Sequence, residues 1–189
     1  MVLVARQSRS SALAHHLFLA GPPGCGKTTA LRRAVELLDC TRAAGFLTVE
    51  TRAGRQRTGF QIITLDGTIA PLASLSTAGP HRVGRYGVSL ASFERVALAS
   101  LAANPDTDLY VIDEIGRMEC LSPRFTARVS EILDGALPLV GTVGSGSGFP
   151  AEARRHAAVE LLEVTPRERD TLPERIAAWC RTRTGTILT

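Results

Sequence analysis

Apolar and polar positions follow two rhythms along the chain, and the switches between them divide it into strands and helices. Leu17 to Ala20 is a short apolar run cut off by Gly21-Pro22-Pro23-Gly24, the mark of a buried strand. From Gly26 the period changes. Leu31, Ala34, Val35, Leu37 and Leu38 recur at helical spacing with Arg32, Arg33 and Glu36 between them, which predicts an amphipathic helix to about Asp39. Gly45 to Thr51 alternates apolar with polar, and Gly59 to Leu65 ends at the turn pair Asp66-Gly67, so these segments read as strands flanking an arginine-bearing turn, Arg52 to Arg57.

The stretch from Ala70 to Gly87 is rich in glycine, proline and serine and predicts an irregular connection, of a length that is more often functional than idle. Ser89 to Ala103 predicts a helix capped by Ser89 or Ser92 and stopped at Asn104-Pro105. Leu109 to Ile112 is a second apolar run and leads into Asp113-Glu114. Ser122-Pro123 opens a helix to about Leu133, with proline at its first position. Leu137 to Val143 predicts a third buried strand, Gly144 to Gly148 a flexible loop, Val159 to Val164 a last strand, and Leu172 to Arg181 a last helix. Buried strands alternating with amphipathic helices imply an α/β fold with a mainly parallel sheet.

At 189 residues and 44% hydrophobic the chain has room for one core. The expected organisation is one domain over residues 15–183, a flexible N-terminal arm over 1–14 and a tail over 184–189. His15 and His16 interrupt the most apolar N-terminal stretch, which is too short to span a membrane, and Met1 to Ser11 lacks the pattern of a secretory signal. A cytoplasmic protein is the expectation. Cys25, Cys40, Cys120 and Cys180 form no CxxC pair and read as reduced thiols. No heptad or exposed strand settles the oligomeric state, and a monomer is favoured.

The net charge of +4 fits a polyanionic small molecule as well as nucleic acid, because the arginines form no block and only 5% of residues are aromatic. Of 22 basic residues only Lys27 is lysine. A compact ammonium survives at the one place where a planar guanidinium would not fit equivalently.

That place is a phosphate loop. Gly21-Pro22-Pro23-Gly24-Cys25-Gly26-Lys27-Thr28 matches G-x-x-x-x-G-K-[ST] between a predicted strand and a predicted helix. Its glycines let backbone N–H groups turn inward, the helix points its positive end at the same spot, Lys27 reaches the β- and γ-phosphates, and Thr28 ligates Mg²⁺. Asp113, at the end of a buried strand, is the second magnesium ligand, and Glu114 polarises the attacking water. Positive charge for the transferring group is sought among Arg52, Arg57, Arg85 and Arg117, each beside a glycine-bearing turn.

Further blocks extend these motifs: Gly45-Phe46-Leu47-Thr48-Val49-Glu50-Thr51-Arg52, Arg57-Thr58-Gly59-Phe60, Thr64-Leu65-Asp66-Gly67, Arg82-Val83-Gly84-Arg85-Tyr86-Gly87-Val88, Asp113-Glu114-Ile115-Gly116-Arg117-Met118-Glu119, and Val164-Thr165-Pro166 leading to Arg169-Asp170. Together they resemble the small nucleoside-triphosphatases typified by the cancer-related nucleoside-triphosphatase and its thermophilic bacterial and archaeal relatives. The resemblance implies a RecA-like sheet with helices on both faces and slow, Mg²⁺-dependent hydrolysis of ATP, GTP and other nucleoside triphosphates. It also implies nucleotide binding by residues 21–28 and by Asp113, Glu114, Ile115 and Gly116, with Glu114 as the activator of water; Lys27, from its place in the phosphate loop, is expected to be catalytic beside it. The sequence departs from the family at Arg167-Glu168-Arg169-Asp170, and it has arginine at 85 and 117 where relatives commonly carry lysine. Two alternatives stand beside hydrolysis: a kinase using the same cradle, and a nucleotide-operated switch that binds nucleic acid.

Overall fold

The computed structural model describes residues 15–38, 42–165, 167–168 and 170–184. Its strands are β1 (His16–Ala20), β2 (Ala43–Ala53), β3 (Gln56–Thr64), β4 (Ile69–Ser74), β5 (Arg82–Val83), β6 (Tyr86–Val88), β7 (Leu109–Ile115), β8 (Leu139–Val143) and β9 (Val159–Glu163). They form one sheet in the order β5-β6-β4-β3-β2-β7-β8-β1-β9. Pairings among β2, β7, β8, β1 and β9 are parallel, as the apolar runs require. From β2 through β3, β4 and β6 to β5 they are antiparallel, an addition that the buried runs did not announce.

The helices are α1 (Lys27–Glu36), α2 (Leu90–Ser100), α3 (Pro123–Leu133), α4 (Phe149–Arg155) and α5 (Leu172–Thr184). Alternation along β1 builds a core on each sheet face. Leu17 and Leu19 join Leu31 and Ala34 of α1 and Ile176 and Ala177 of α5. Phe18 and Ala20 join Phe93 of α2 and Phe125 and Val129 of α3, where the Phe93 and Phe125 rings meet edge-on at 5.3 Å.

The predicted irregular connection over Ala70 to Gly87 holds β4, β5 and β6 instead. Proline obscured β4, yet Pro71 is harmless there because β6 pairs only with Ala73 and Ser74. The alternation of exposed Ile69 and Pro71 with buried Ala70 and Leu72 is the signal for this strand. Helix α4 was not predicted, its seven residues being too few for a clear period. Ser89 holds the cap position of α2, but its hydroxyl meets Thr77 Oγ1 at 3.3 Å and caps no amide. Residues 1–14, 39–41, Pro166, Arg169 and residues 185–189 lie outside the described residues.

One feature of β2 positions the site. Only Ala43, Ala44, Gly45 and Phe46 pair with β7; from Leu47 onward β2 runs with β3 alone past the end of the parallel strands. Gly45 permits the close approach, since a Cβ there would collide with the Val111 carbonyl. The β2–β3 ribbon therefore overhangs the edge from which the loops after β1, β7 and β8 emerge.

Candidate functional site

Those loops converge on a cleft of about 640 Å³. The loop after β1 is made by Gly21, Gly24 and Gly26, all at positive φ, and Gly26 (φ 105°) turns the chain into α1 at Lys27. Lys27 Nζ donates to the Gly21 carbonyl at 2.8 Å and the Pro22 carbonyl at 3.1 Å, so the ammonium sits inside the loop's own curve. Cys25 Sγ lies 3.9 Å from it.

Across the cleft, Asp113 is fully buried near the end of β7. Its Oδ1 accepts from Thr142 Oγ1 at 2.6 Å and Thr28 Oγ1 at 3.1 Å, and its Oδ2 faces the Thr48 N–H at 3.4 Å. Thr48 Oγ1 also donates to the Asp113 carbonyl. Burial raises the Asp113 pKa, and the bonds from Thr142, Thr28 and Thr48 oppose the rise. A carboxylate and a hydroxyl that meet at one point are hard oxygen donors of the kind Mg²⁺ takes beside phosphate oxygens and water.

Glu114 lines the cleft between Gly116 and Gly144, where added Cβ atoms would crowd its carboxyl. Its pKa is raised by burial and by the neighbouring Asp113 charge, which suits a group that must accept a proton. Ile115 offers only main chain: its side chain is in the core and its carbonyl accepts from the Gly144 N–H at 3.0 Å. The loop after β8, predicted to be flexible, is held by Arg154 of α4, whose guanidinium binds the Gly144 and Gly146 carbonyls.

Of the four candidate arginines, the structure brings Arg57 and Arg117 to the cleft and leaves Arg52 and Arg85 out of its lining. Arg52 is bound to Glu50 and to the Arg55 carbonyl, and Arg85 to Tyr86 and the Arg57 carbonyl. Arg117 is exposed beside Gly146.

Thr48, Thr142 and Glu119 were missed in the sequence. Thr142, a lone polar residue in the buried strand LVGTV, is a legible oddity. Glu119 starts a 3-10 turn after β7 and is buried at 4% exposure behind Gly116, with its pKa pushed up to about 8 by burial. Between pH 4.5 and about 8 the folded protein holds a proton on Glu119 that the unfolded chain has released, so this group's stabilising contribution falls as pH rises through that window. Glu119→Gln is expected to flatten the loss of stability between pH 5 and 8 by on the order of a few kcal/mol, measured by denaturant unfolding at both pH values. Parallel curves for the two proteins would contradict this.

A family model described as NTPase matches residues 16–177. The nucleoside-triphosphatase THEP1 of Thermotoga maritima is 37% identical over 158 residues, covering 82% of this chain and 90% of that protein. The cancer-related nucleoside-triphosphatase of Homo sapiens is 38% identical over 178 residues, covering 85% and 93%. Among solved structures, THEP1 from the hyperthermophile Aquifex aeolicus superposes with a TM-score of 0.77 at 34% identity, covering 87% of this chain and 98% of that one. No helix among the described residues is long and apolar enough to cross a membrane.

Proposed function

The chain belongs to the NTPase family, and from that premise we propose that it is a magnesium-dependent nucleoside-triphosphatase of broad base preference, working at the cleft between residues 21–28 and Glu114. The observation that carries the reading is the convergence of Thr28 and Asp113, 3.1 Å apart, beside Lys27 on one side and Glu114 on the other.

Phosphates bind at the N-terminus of α1, whose first amides have no partner within the helix and whose dipole favours negative charge. Lys27 exchanges its loop carbonyls for phosphate oxygens as a point charge. Thr28 and Asp113 hold Mg²⁺, which when bound neutralises charge on the phosphate oxygens. Glu114 takes a proton from water as the water oxygen bonds to the γ-phosphorus and the bond to the β-phosphate oxygen breaks. Arg117, exposed at the rim, supplies positive charge to the transferring group.

Phosphate release with ATP, GTP, CTP and UTP tests the proposal. Rates are expected to lie within about tenfold of one another, the range that apolar contacts discriminate, and to vanish when Mg²⁺ is chelated. Hydrolysis of a single nucleotide, or hydrolysis undiminished by chelation, would contradict it.

A further inference from the structure

The cleft continues beyond Glu114. Its far part is walled by the overhanging β2–β3 ribbon, β4 and β5, and lined by Leu47, Val49, Phe60, Leu72 and Val83. At this end Arg57 is held in place: Nη1 donates to Glu50 Oε1 at 2.7 Å and Nε to the Tyr86 hydroxyl at 3.2 Å, and the guanidinium carbon lies 5.2 Å from the Phe60 ring centre. Sheet order fixes which end of the nucleotide faces this space. The phosphate loop follows β1, Glu114 follows two strands along at β7, and the ribbon comes next, so the space lies past the γ-phosphate. The other neighbour of β1 is β9, where Val164 N–H binds the Ala20 carbonyl at 2.8 Å; with the γ-phosphate beside Glu114, ribose and base would leave on that side.

A hydrolase needs only one water beside the γ-phosphate, and five apolar side chains with an oriented guanidinium do not recognise water. They recognise a small organic molecule. We infer that this compartment is a phosphoryl-acceptor site for a small molecule with a flat apolar ring, a hydrogen-bond acceptor for Arg57 and a hydroxyl directed at Glu114. The inference rests on the nucleotide placement proposed above. In the transfer the acceptor's hydroxyl oxygen bonds to the γ-phosphorus, the bond to the β-phosphate oxygen breaks, the nucleoside diphosphate leaves, and the hydroxyl proton passes to the Glu114 carboxylate. Hydrolysis is then the same step with water in the acceptor's place. Arg57 is preorganised by Glu50 and Tyr86, so binding such a ring costs little side-chain ordering.

The test supplies γ-labelled ATP with millimolar 4-methoxybenzyl alcohol, 3-pyridylmethanol or adenosine as probes and separates labelled phosphomonoester from inorganic phosphate. Labelled ester from at least one probe is expected. Its ratio to phosphate should fall by about tenfold in Val83→Trp, which fills the compartment, and in Arg57→Ala, which removes its anchor. Phosphate without ester from all three probes, or a ratio unmoved by either variant, overturns the acceptor site alone. Neither product from the wild type overturns the hydrolase reading and the acceptor site with it.

Discussion

Lys27→Ala is expected to slow phosphate release by about 10²–10³-fold, the usual loss when one donor to a developing phosphate charge is removed. Nucleotide affinity should fall as well, by about 10–100-fold, because a charge-assisted bond to the phosphates disappears from the ground state too. The effect is large because the loop is built around this ammonium: Nζ reaches two loop carbonyls within 3.1 Å, a distance that a four-carbon stem and a compact head can meet. Lys27→Arg should rescue little, since a planar fork cannot replace a point charge in that curve. Titration of a fluorescent nucleotide beside a phosphate-release assay separates the two losses. Tight binding and normal turnover by Lys27→Ala would remove residues 21–28 from the mechanism.

Glu114→Gln should affect the rate without the affinity. Loss of a positioned general base is expected to cost about 10²–10⁴-fold in phosphate release, with nucleotide affinity changed only a few-fold. The substitution keeps the size of the side chain between Gly116 and Gly144, and it leaves Asp113 with its bonds from Thr28, Thr142 and Thr48. It also removes a negative charge that repels phosphate, so any change in affinity should be towards tighter binding. Lys27 and Glu114 therefore fail differently, one in both binding and rate and the other in rate alone.

Much of this arrangement is legible in the sequence because its parts are local. The glycines, Lys27 and Thr28 lie within eight consecutive positions, and Asp113-Glu114 directly follows an apolar run. The parallel strands are equally plain, since burial on both faces leaves continuous apolar runs. The far wall of the cleft is different: Phe60, Leu72 and Val83 come from three strands of the antiparallel half, two of them hidden in a stretch of proline, serine and glycine. No spacing rule brings Arg57 to Glu50 and Tyr86, because that contact depends on the β2–β3 register and on the return of β6 beside β4. Thr48 was hidden for a related reason: it is an ordinary threonine until the sheet sets it beside Asp113, whereas Thr142 stands out as the polar residue of a buried strand.

On the proposed function, a nucleoside triphosphate bound by residues 21–28 is hydrolysed by water activated at Glu114. The most direct test is a single-turnover experiment, in which excess protein and Mg²⁺ are mixed with labelled ATP, quenched over time and separated into triphosphate, diphosphate and phosphate. The wild type should convert the bound triphosphate to diphosphate and phosphate in equal amounts, while Glu114→Gln holds it intact at comparable occupancy. Conversion by Glu114→Gln at the wild-type rate would contradict the account.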